Sequence, residues 1–284
     1  MKIKPDEFKI LRDYIYKISG IHLEPSKTYL LETRLKPLLD QYKLNSYQEL
    51  YKKALVDKEV EKAIIDAVTT KETLFFRDQA PFDLLKFKIL PDLIDRRSKQ
   101  RIGKSPIKIR IWSAACSTGQ ETYSIAIAVR EAIPDVDDVT KYNITILGTD
   151  ISEEAIAKAS YGKYNKFEIE RGLPQDKLRK YFNPTPDGGW RVKDEVRFMV
   201  NFRKINLMHN FSVLGKFDII FCRNVAIYFS PEDKKKLFER MAQVIQPDGY
   251  LIIGSTESLS GVTDLFVPKR YLRAIFYQLK TFKG

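Results

Sequence analysis

Cysteine and histidine are scarce in this chain of 284 residues, with two of each. Cys116 and Cys222 are too few for a disulfide framework, and neither forms a metal-spaced cluster with His22 or His209, so no metal site is expected. Long hydrophobic runs are missing as well. No apolar stretch approaches the roughly eighteen residues of a membrane span. The opening Met1-Lys-Ile-Lys-Pro-Asp-Glu-Phe8 also lacks the apolar core of a signal peptide, which predicts a cytoplasmic protein without membrane insertion. Glycine-rich phosphate loops are absent too. A dinucleotide fingerprint needs three glycines and a P-loop needs Gly-Lys-Ser/Thr, whereas the turn after Trp112 offers Gly119 alone, which leaves both a nucleoside site and a plain tight turn open.

What the chain does have is core-forming residues and positive charge. A hydrophobic content of 44% at this length can bury a sizeable core and suffices for two domains. Lys plus Arg number 49 against 37 Asp plus Glu, a net charge of +12, which calls for a polyanionic partner or for none.

The stretch Ile109-Arg-Ile-Trp-Ser-Ala-Ala-Cys-Ser-Thr-Gly-Gln-Glu121 passes from an alternating strand through small residues into a helix over 121–133, striped by Ile125, Ile127, Ala128 and Ile133. Asn143 to Asp150 reads as the next strand, and Ser152 caps the helix after it. Strand, turn, helix and strand make a βαβ unit, so Asp150 stands at a carboxyl strand end, placed either to accept ribose hydroxyls or to serve as a second cap. Phe217 to Cys222 reads as a buried parallel strand ending at Arg223-Asn224. Ser230 and Pro231 open a further helix, and Pro247-Asp-Gly249 turns into a strand over 250–254. Between these elements, 161–205 interrupts the pattern with turn residues and β-formers, predicting a small β-insertion.

Residues 1 to about 95 read as a small helical domain. Pro5 suits a first helical turn, Phe8, Leu11, Ile15 and Ile18 mark one face, and Gly20 stops the helix. Ser46-Tyr-Gln-Glu49 is a capping box, and Val60, Ala63, Ile64, Ala67 and Val68 stripe another helix. A helix around 29–42 carries Arg34 and Lys36 on polar positions, with Lys43 just beyond, and contains Pro37, which should kink it. Basic residues concentrate over 96–110, where Gly103 and Pro106 break regular structure; 96–106 is expected to be a basic linker to an α/β domain at 107–284. Such a linker is either a solvated connector or a face for an anionic partner.

Taken together, Thr69-Thr-Lys-Glu-Thr-Leu-Phe-Phe-Arg77, Trp112 to Glu121 with Ser124-Ile-Ala126, Gly148-Thr-Asp150, Asn206-Leu207, Phe217 to Val225 with Ile227-Tyr-Phe229, and Gly249 to Ser258 resemble the chemotaxis receptor glutamate methyltransferases, the CheR family. The motifs follow the family's order and span nearly the whole chain. The resemblance implies a doubly wound, Rossmann-like S-adenosylmethionine-dependent methyltransferase domain behind an all-helical domain. It implies methylation of receptor glutamates, with S-adenosylhomocysteine as product and the acidic helical cytoplasmic region of methyl-accepting chemotaxis receptors as partner. Thr73 and Arg77 then inherit cofactor contacts from the segment that closes over it, Gly119 and Glu121 from the first turn, Asp150 at the ribose, Asn206 and Leu207 beside the adenine, and Arg223 with Asn224 near the amino-acid end. Arg34, Lys36 and Lys43 lie where the family's basic helix faces the receptor. Three departures stand out: Lys71 replaces the usual Asn and is carried as a cofactor-adjacent position, Thr122 replaces a proline, and Ala226 a larger apolar residue.

The chemistry implied asks little of acid–base groups. Glutamate, with a pKa of about 4.3, is already ionised at pH 7 and needs no general base. Tyr228 is the candidate to orient it by one hydrogen bond, beside Asn224 and with Arg77 as the cation near the cofactor carboxylate. One of Phe75 and Phe76 is expected to be a core anchor. Two alternatives are a cofactor-binding regulatory module and a methyltransferase with another acceptor such as RNA. Nucleic-acid amino-methyltransferases of similar fold carry Asn/Asp-Pro-Pro-aromatic where this chain has Asn224-Val-Ala-Ile227, so no nucleic-acid partner is expected.

Overall fold

The computed structural model describes residues 2–101 and 103–280. Ile102, within the expected linker, and the last four residues of the expected α/β domain lie outside the described residues.

Four helices open the chain: α1 (Pro5–Ser19), α2 (Thr28–Tyr42), α3 (Tyr47–Val56) and α4 (Lys58–Val68). Their starts and stops follow from the sequence. Pro5 sits in the first turn of α1, and Gly20 takes the left-handed conformation (φ 77°) that ends it. Ser46 accepts the Glu49 N–H at 3.1 Å, while Glu49 reaches back to the Asn45 N–H rather than to that of Ser46, so the expected capping box is half formed. The helix α2 runs through Pro37 without a break. Phe8, Leu11, Ile15, Leu31, Leu35, Leu50, Ile64 and Val68 meet in one core belonging to this helical unit.

A second core begins at Phe75. It takes in Phe82, Leu85, Leu90 and Leu93 from α5 (Gln79–Leu84), a π turn (Leu85–Ile89) and α6 (Leu90–Lys99), all packed on the sheet described next. Arg97 in α6 bridges Asp218 at 2.6 Å and Asp248 at 2.7 Å. The expected boundary at about 95 and the start of a linker at 96 therefore fall inside a helix of the α/β unit. We place the division between Val68 and Phe75, because apolar side chains change cores there. Periodicity shows that 79–99 is helical; it does not show which core the helix covers.

The α/β unit is a seven-stranded sheet of β1 (Ile107–Ala114), β2 (Tyr142–Asp150), β6 (Val200–Lys204), β7 (Phe217–Cys222), β8 (Ile245–Ile253), β9 (Phe266–Tyr271) and β10 (Ala274–Leu279). Its order is β6-β2-β1-β7-β8-β10-β9, parallel except where β10 runs antiparallel to β8 and β9. Strand residues alternate between two cores: Ile109, Ile111, Ile219 and Phe221 face α7 (Gln120–Ala132), whereas Trp112, Ile220 and Cys222 face α12 (Pro231–Val244). Both faces are thus covered, which is why β7 is buried at every residue.

The insertion after α8 (Glu153–Tyr161) is smaller than 161–205. It holds β3 (Lys163–Tyr164), α9 (Lys166–Glu170), α10 (Gln175–Tyr181), β4 (Phe182–Pro184) and β5 (Trp190–Val192), the strands pairing antiparallel in the order β3-β5-β4. After the short α11 (Asp194–Arg197), residues 200–204 leave the insertion and become an edge strand of the main sheet, parallel to β2. The ring of Phe202 there meets Tyr123 of α7 edge-on at 5.5 Å, a long-range contact that strand propensity alone does not reveal.

Candidate active site

The chain goes from β1 outward to β2 and β6, then returns to start again at β7 beside β1. That reversal opens a crevice at the carboxyl ends of the strands, the place where open α/β sheets take ligands. A cavity of about 260 Å³ lies there, lined by Ala115, Cys116 and Ser117 after β1, Asp150 and Ile151 after β2, Ile205, Asn206 and Leu207 after β6, and Arg223 and Asn224 after β7. The segment 68–74 with Arg77, and Ser19 and Ile21 from the helical unit, complete its walls.

Of the seven non-glycine residues with positive φ among the described residues, Ala115, Ser117 and Asn224 line this cavity, and Phe76 and Asp78 flank Arg77, which also lines it. Each such residue costs of order 1–3 kcal/mol and persists where neighbours over-determine it. At the first turn, Ser117 N–H donates to Asp150 Oδ2 at 2.8 Å and Cys116 N–H to the Thr149 carbonyl at 2.9 Å. Asp150 Oδ1 accepts the Ser152 N–H at 2.9 Å. Asp150 therefore both braces the turn and presents its carboxylate at the cavity. Burial pushes its pKa up, opposed by the backbone N–H groups of Ser152 and Ser117.

Gly119 is placed differently. It is the N-cap of α7 at φ 94°, and a Cβ there would lie 2.9 Å from the Ala159 Cβ and 3.1 Å from the Tyr164 hydroxyl. It is not among the cavity-lining residues, and its lack of a side chain lets α8 and the insertion approach closely. The backbone that does face the cavity is at 115–117.

In the joining segment, Lys71 turns its ammonium outward, to Glu154 at 2.5 Å and Asp66 at 4.0 Å, while Thr73 and Arg77 line the cavity. Among the described residues the Arg77 guanidinium has no carboxylate or hydrogen-bond partner. Phe75 and Phe76 are both buried, Phe75 edge-on to Tyr164 at 5.0 Å and Phe182 at 5.5 Å, so both anchor the segment. Arg223, with a side chain only 1% exposed, donates to Glu121 at 3.0 Å, to Asp78 at 2.8 Å and to the Arg77 carbonyl at 2.8 Å. Ser113 supplies the other partner of Glu121 at 2.8 Å. The pair Arg223–Glu121 thus ties the joining segment to the floor of the cavity.

At the other end, Asn224 stands at φ 58° and its N–H donates to Glu257 Oε2 at 2.7 Å. Its side-chain amide has no partner among the described residues, and neither does the Tyr228 hydroxyl; both residues line the cavity. Asn206 lines it too, but its amide is committed, accepting from Met208 N–H at 2.9 Å and donating to the Ile18 carbonyl at 3.0 Å. Leu207 is buried beside it. The basic trio of the helical unit separates: Lys36 and Lys43 are exposed, whereas Arg34 is half-buried and donates to the Val68 carbonyl and to Thr70 Oγ1. Ser19, Ile21, Asp78 and Glu257 carry parts of the site that sequence reasoning left without a role. Glu257 lies inside a motif that resembled the family; Ser19 and Ile21 gave no signal, because only docking of α1 brings them near.

Two family models divide the chain as the cores do. The CheR methyltransferase all-alpha domain matches residues 6–69, and the CheR methyltransferase SAM binding domain matches 71–272. A chemotaxis protein methyltransferase of Vibrio parahaemolyticus is 41% identical over 280 residues, 98% of each chain. Chemotaxis protein methyltransferase 1 of Pseudomonas aeruginosa is 38% identical over 275 residues, 96% of this chain and 98% of that protein. The chemotaxis protein methyltransferase of Borreliella burgdorferi is 35% identical over 270 residues, 93% and 92% of the two chains. With a doubly wound sheet, a cavity at its switch point and this likeness along both units, the chain belongs to the CheR family of S-adenosylmethionine-dependent chemotaxis protein methyltransferases.

Proposed function

We propose that the chain transfers a methyl group from S-adenosylmethionine to glutamate carboxylates in the acidic helical cytoplasmic region of chemotaxis receptors, leaving S-adenosylhomocysteine and a glutamate methyl ester. The observation that carries this reading is the lack of a free base at the cavity among the described residues. Glu121 is committed to Arg223 and Ser113, Glu72 to Arg171, and Asp150 to two backbone N–H groups with its remaining lone pairs taken by the ribose when the cofactor is bound, and no histidine lines the cavity. A hydroxyl or ammonium acceptor would need a group to take its proton. A carboxylate acceptor is already an anion at neutral pH.

The residues present fit the cofactor. Each oxygen of Asp150 accepts one N–H and keeps a lone pair for a ribose hydroxyl. Arg77, free of protein carboxylates, can fork onto the methionine carboxylate, and Ile205 and Leu207 offer an apolar wall to the adenine. The cofactor supplies an electrophilic methyl on a sulfonium, open to in-line displacement by an oxygen anion. Tyr228 can donate one hydrogen bond to that oxygen, fixing its direction without removing its charge, so the rate gain comes from alignment and partial desolvation. Lys36 and Lys43, exposed on the helical unit of a chain of net charge +12, suit an acidic helical partner.

The test reads the acceptor atom. Labelled S-adenosylmethionine is incubated with receptor-rich membranes or, separately, with total RNA. Label on the receptor that leaves as methanol in mild alkali supports an ester; alkali-stable label in RNA, or cofactor binding with no transfer to any receptor tried, overturns it. The rate should also stay level between about pH 6.5 and 8.5, and a steep rise near neutrality would reveal a base.

A further inference from the structure

We infer that Tyr16 of the helical unit is a positioning residue for Tyr228, acting through the start of α12; the inference rests on the role of Tyr228 given above. Tyr228 lies on a connection between β7 and α12 that has little regular structure: the left-handed Asn224, then a single 3-10 turn over Ala226–Tyr228. Its upstream end is fixed within the α/β unit, where Glu257 Oε2 accepts both the Asn224 N–H (2.7 Å) and the Gly254 N–H (2.8 Å). The downstream end is fixed from the other unit.

There the Tyr228 carbonyl accepts the His22 N–H at 2.8 Å. Two residues on, Ser230 caps α12, its hydroxyl donating to Asp233 Oδ2 at 2.7 Å and accepting the Asp233 N–H at 3.2 Å. The same Asp233 Oδ2 accepts the Tyr16 hydroxyl at 2.7 Å, across 217 residues of sequence. The end of α1 is keyed to this place. The Ile18 carbonyl accepts from Asn206, and Gly20, at φ 77°, lies so close to Met208 that a Cβ would sit 2.3 Å from its Cγ. Two polar anchors on the downstream side of the Tyr228 side chain, at its own carbonyl and at the α12 cap, therefore come from residues 16–22.

Tyr16 is 41% exposed, so its ring adds little to a core, and its hydroxyl donates to Asp233 beside the Ser230 cap. Ser230 still caps α12 without it. Removing the hydroxyl thus frees the α12 cap from the helical unit, leaving the His22 N–H as the anchor at the Tyr228 carbonyl and the helix and the cores intact, and the Tyr228 ring is held less firmly in its direction toward the acceptor.

The experiment is a double-mutant cycle on the full chain with receptor membranes. Tyr16→Phe should lower kcat by about three- to tenfold while affinity for S-adenosylhomocysteine changes less than about twofold, and should have no further effect in a Tyr228→Phe background, as coupled residues behave. In protein labelled with ¹³Cζ-tyrosine, the Tyr228 resonance, assigned from Tyr228→Phe, should shift on Tyr16→Phe. If Tyr228→Phe keeps full activity, the role given to Tyr228 falls and this inference with it. If Tyr228→Phe is slow but Tyr16→Phe is fully active, if the two losses multiply, or if the Tyr228 resonance does not move, the inference alone is overturned; the resonance decides the matter even where Tyr228→Phe is too slow to measure.

Discussion

Asp150→Ala probes the cofactor cavity most directly. The carboxylate accepts Ser117 and Ser152 N–H groups at 2.8 and 2.9 Å, and its remaining lone pairs face the cavity. Two ribose hydroxyls donating to a charged acceptor give about 1.5–3 kcal/mol each, and water recovers part of that in the mutant, so the net loss in binding is about 2–4 kcal/mol. In affinity this is roughly 30- to 700-fold. The substitution also orphans two backbone N–H groups beside the strained turn at Ala115 and Ser117, a stability loss of about 1–3 kcal/mol that a denaturant titration reads separately. Calorimetry with S-adenosylhomocysteine checks the first figure, and a folded mutant whose affinity stays within about threefold would remove Asp150 from the cofactor site. The wild-type pH dependence supplies a second check. Burial raises the Asp150 pKa, and ribose hydroxyls bind the ionised form, so affinity should fall as pH drops through a midpoint above that of an ordinary aspartate. The same raised pKa detracts from folding stability at neutral pH, and that burden lightens as the group protonates.

Reversing Lys36 and Lys43 to Glu should raise the receptor concentration needed for half-maximal activity and flatten its salt dependence, with cofactor affinity unaltered; an unchanged receptor dependence would move docking to another surface. Arg34 is a poor probe of docking, because its bonds to Val68 and Thr70 hold the start of the joining segment. Arg97→Met leaves the buried Asp218 and the partly buried Asp248 without their shared cation and should cost about 3–5 kcal/mol in denaturant unfolding at pH 7. Burial alone would raise the Asp248 pKa, but the hydrogen bond from Arg97 holds it below the usual range, so its stabilising part is present at neutral pH and lost as pH falls through that lowered value. The mutant should accordingly lose less stability than wild type between pH 7 and 3.

Local chemistry made much of this molecule legible in one dimension. Pro5 and Gly20 bound α1, Ser152 and Ser230 cap the helices after β2 and β7, and alternating Ile and Phe mark strands, because each depends on a backbone preference or on a neighbour within four residues. Asp150, Arg223 and Asn224 could be placed at strand ends from pattern, and the family resemblance gave them site roles, since a parallel sheet presents those ends along one edge. Several matters were decided only when distant segments met. Residues 79–99 joined the α/β core, and 200–204 took the sheet edge rather than the insertion. Gly119 turned to Ala159, Arg34 to Val68 and Lys71 to Glu154. Ser19 and Ile21 reached the site, and Tyr16 the cap of α12, from a different unit. Helical and strand periods specify which side of an element is apolar, but not which of two apolar surfaces it will cover, nor which polar group a side chain will find across 80 or 200 residues of chain; those choices are made by the summed packing and hydrogen bonding of the whole, and no single window of sequence contains them.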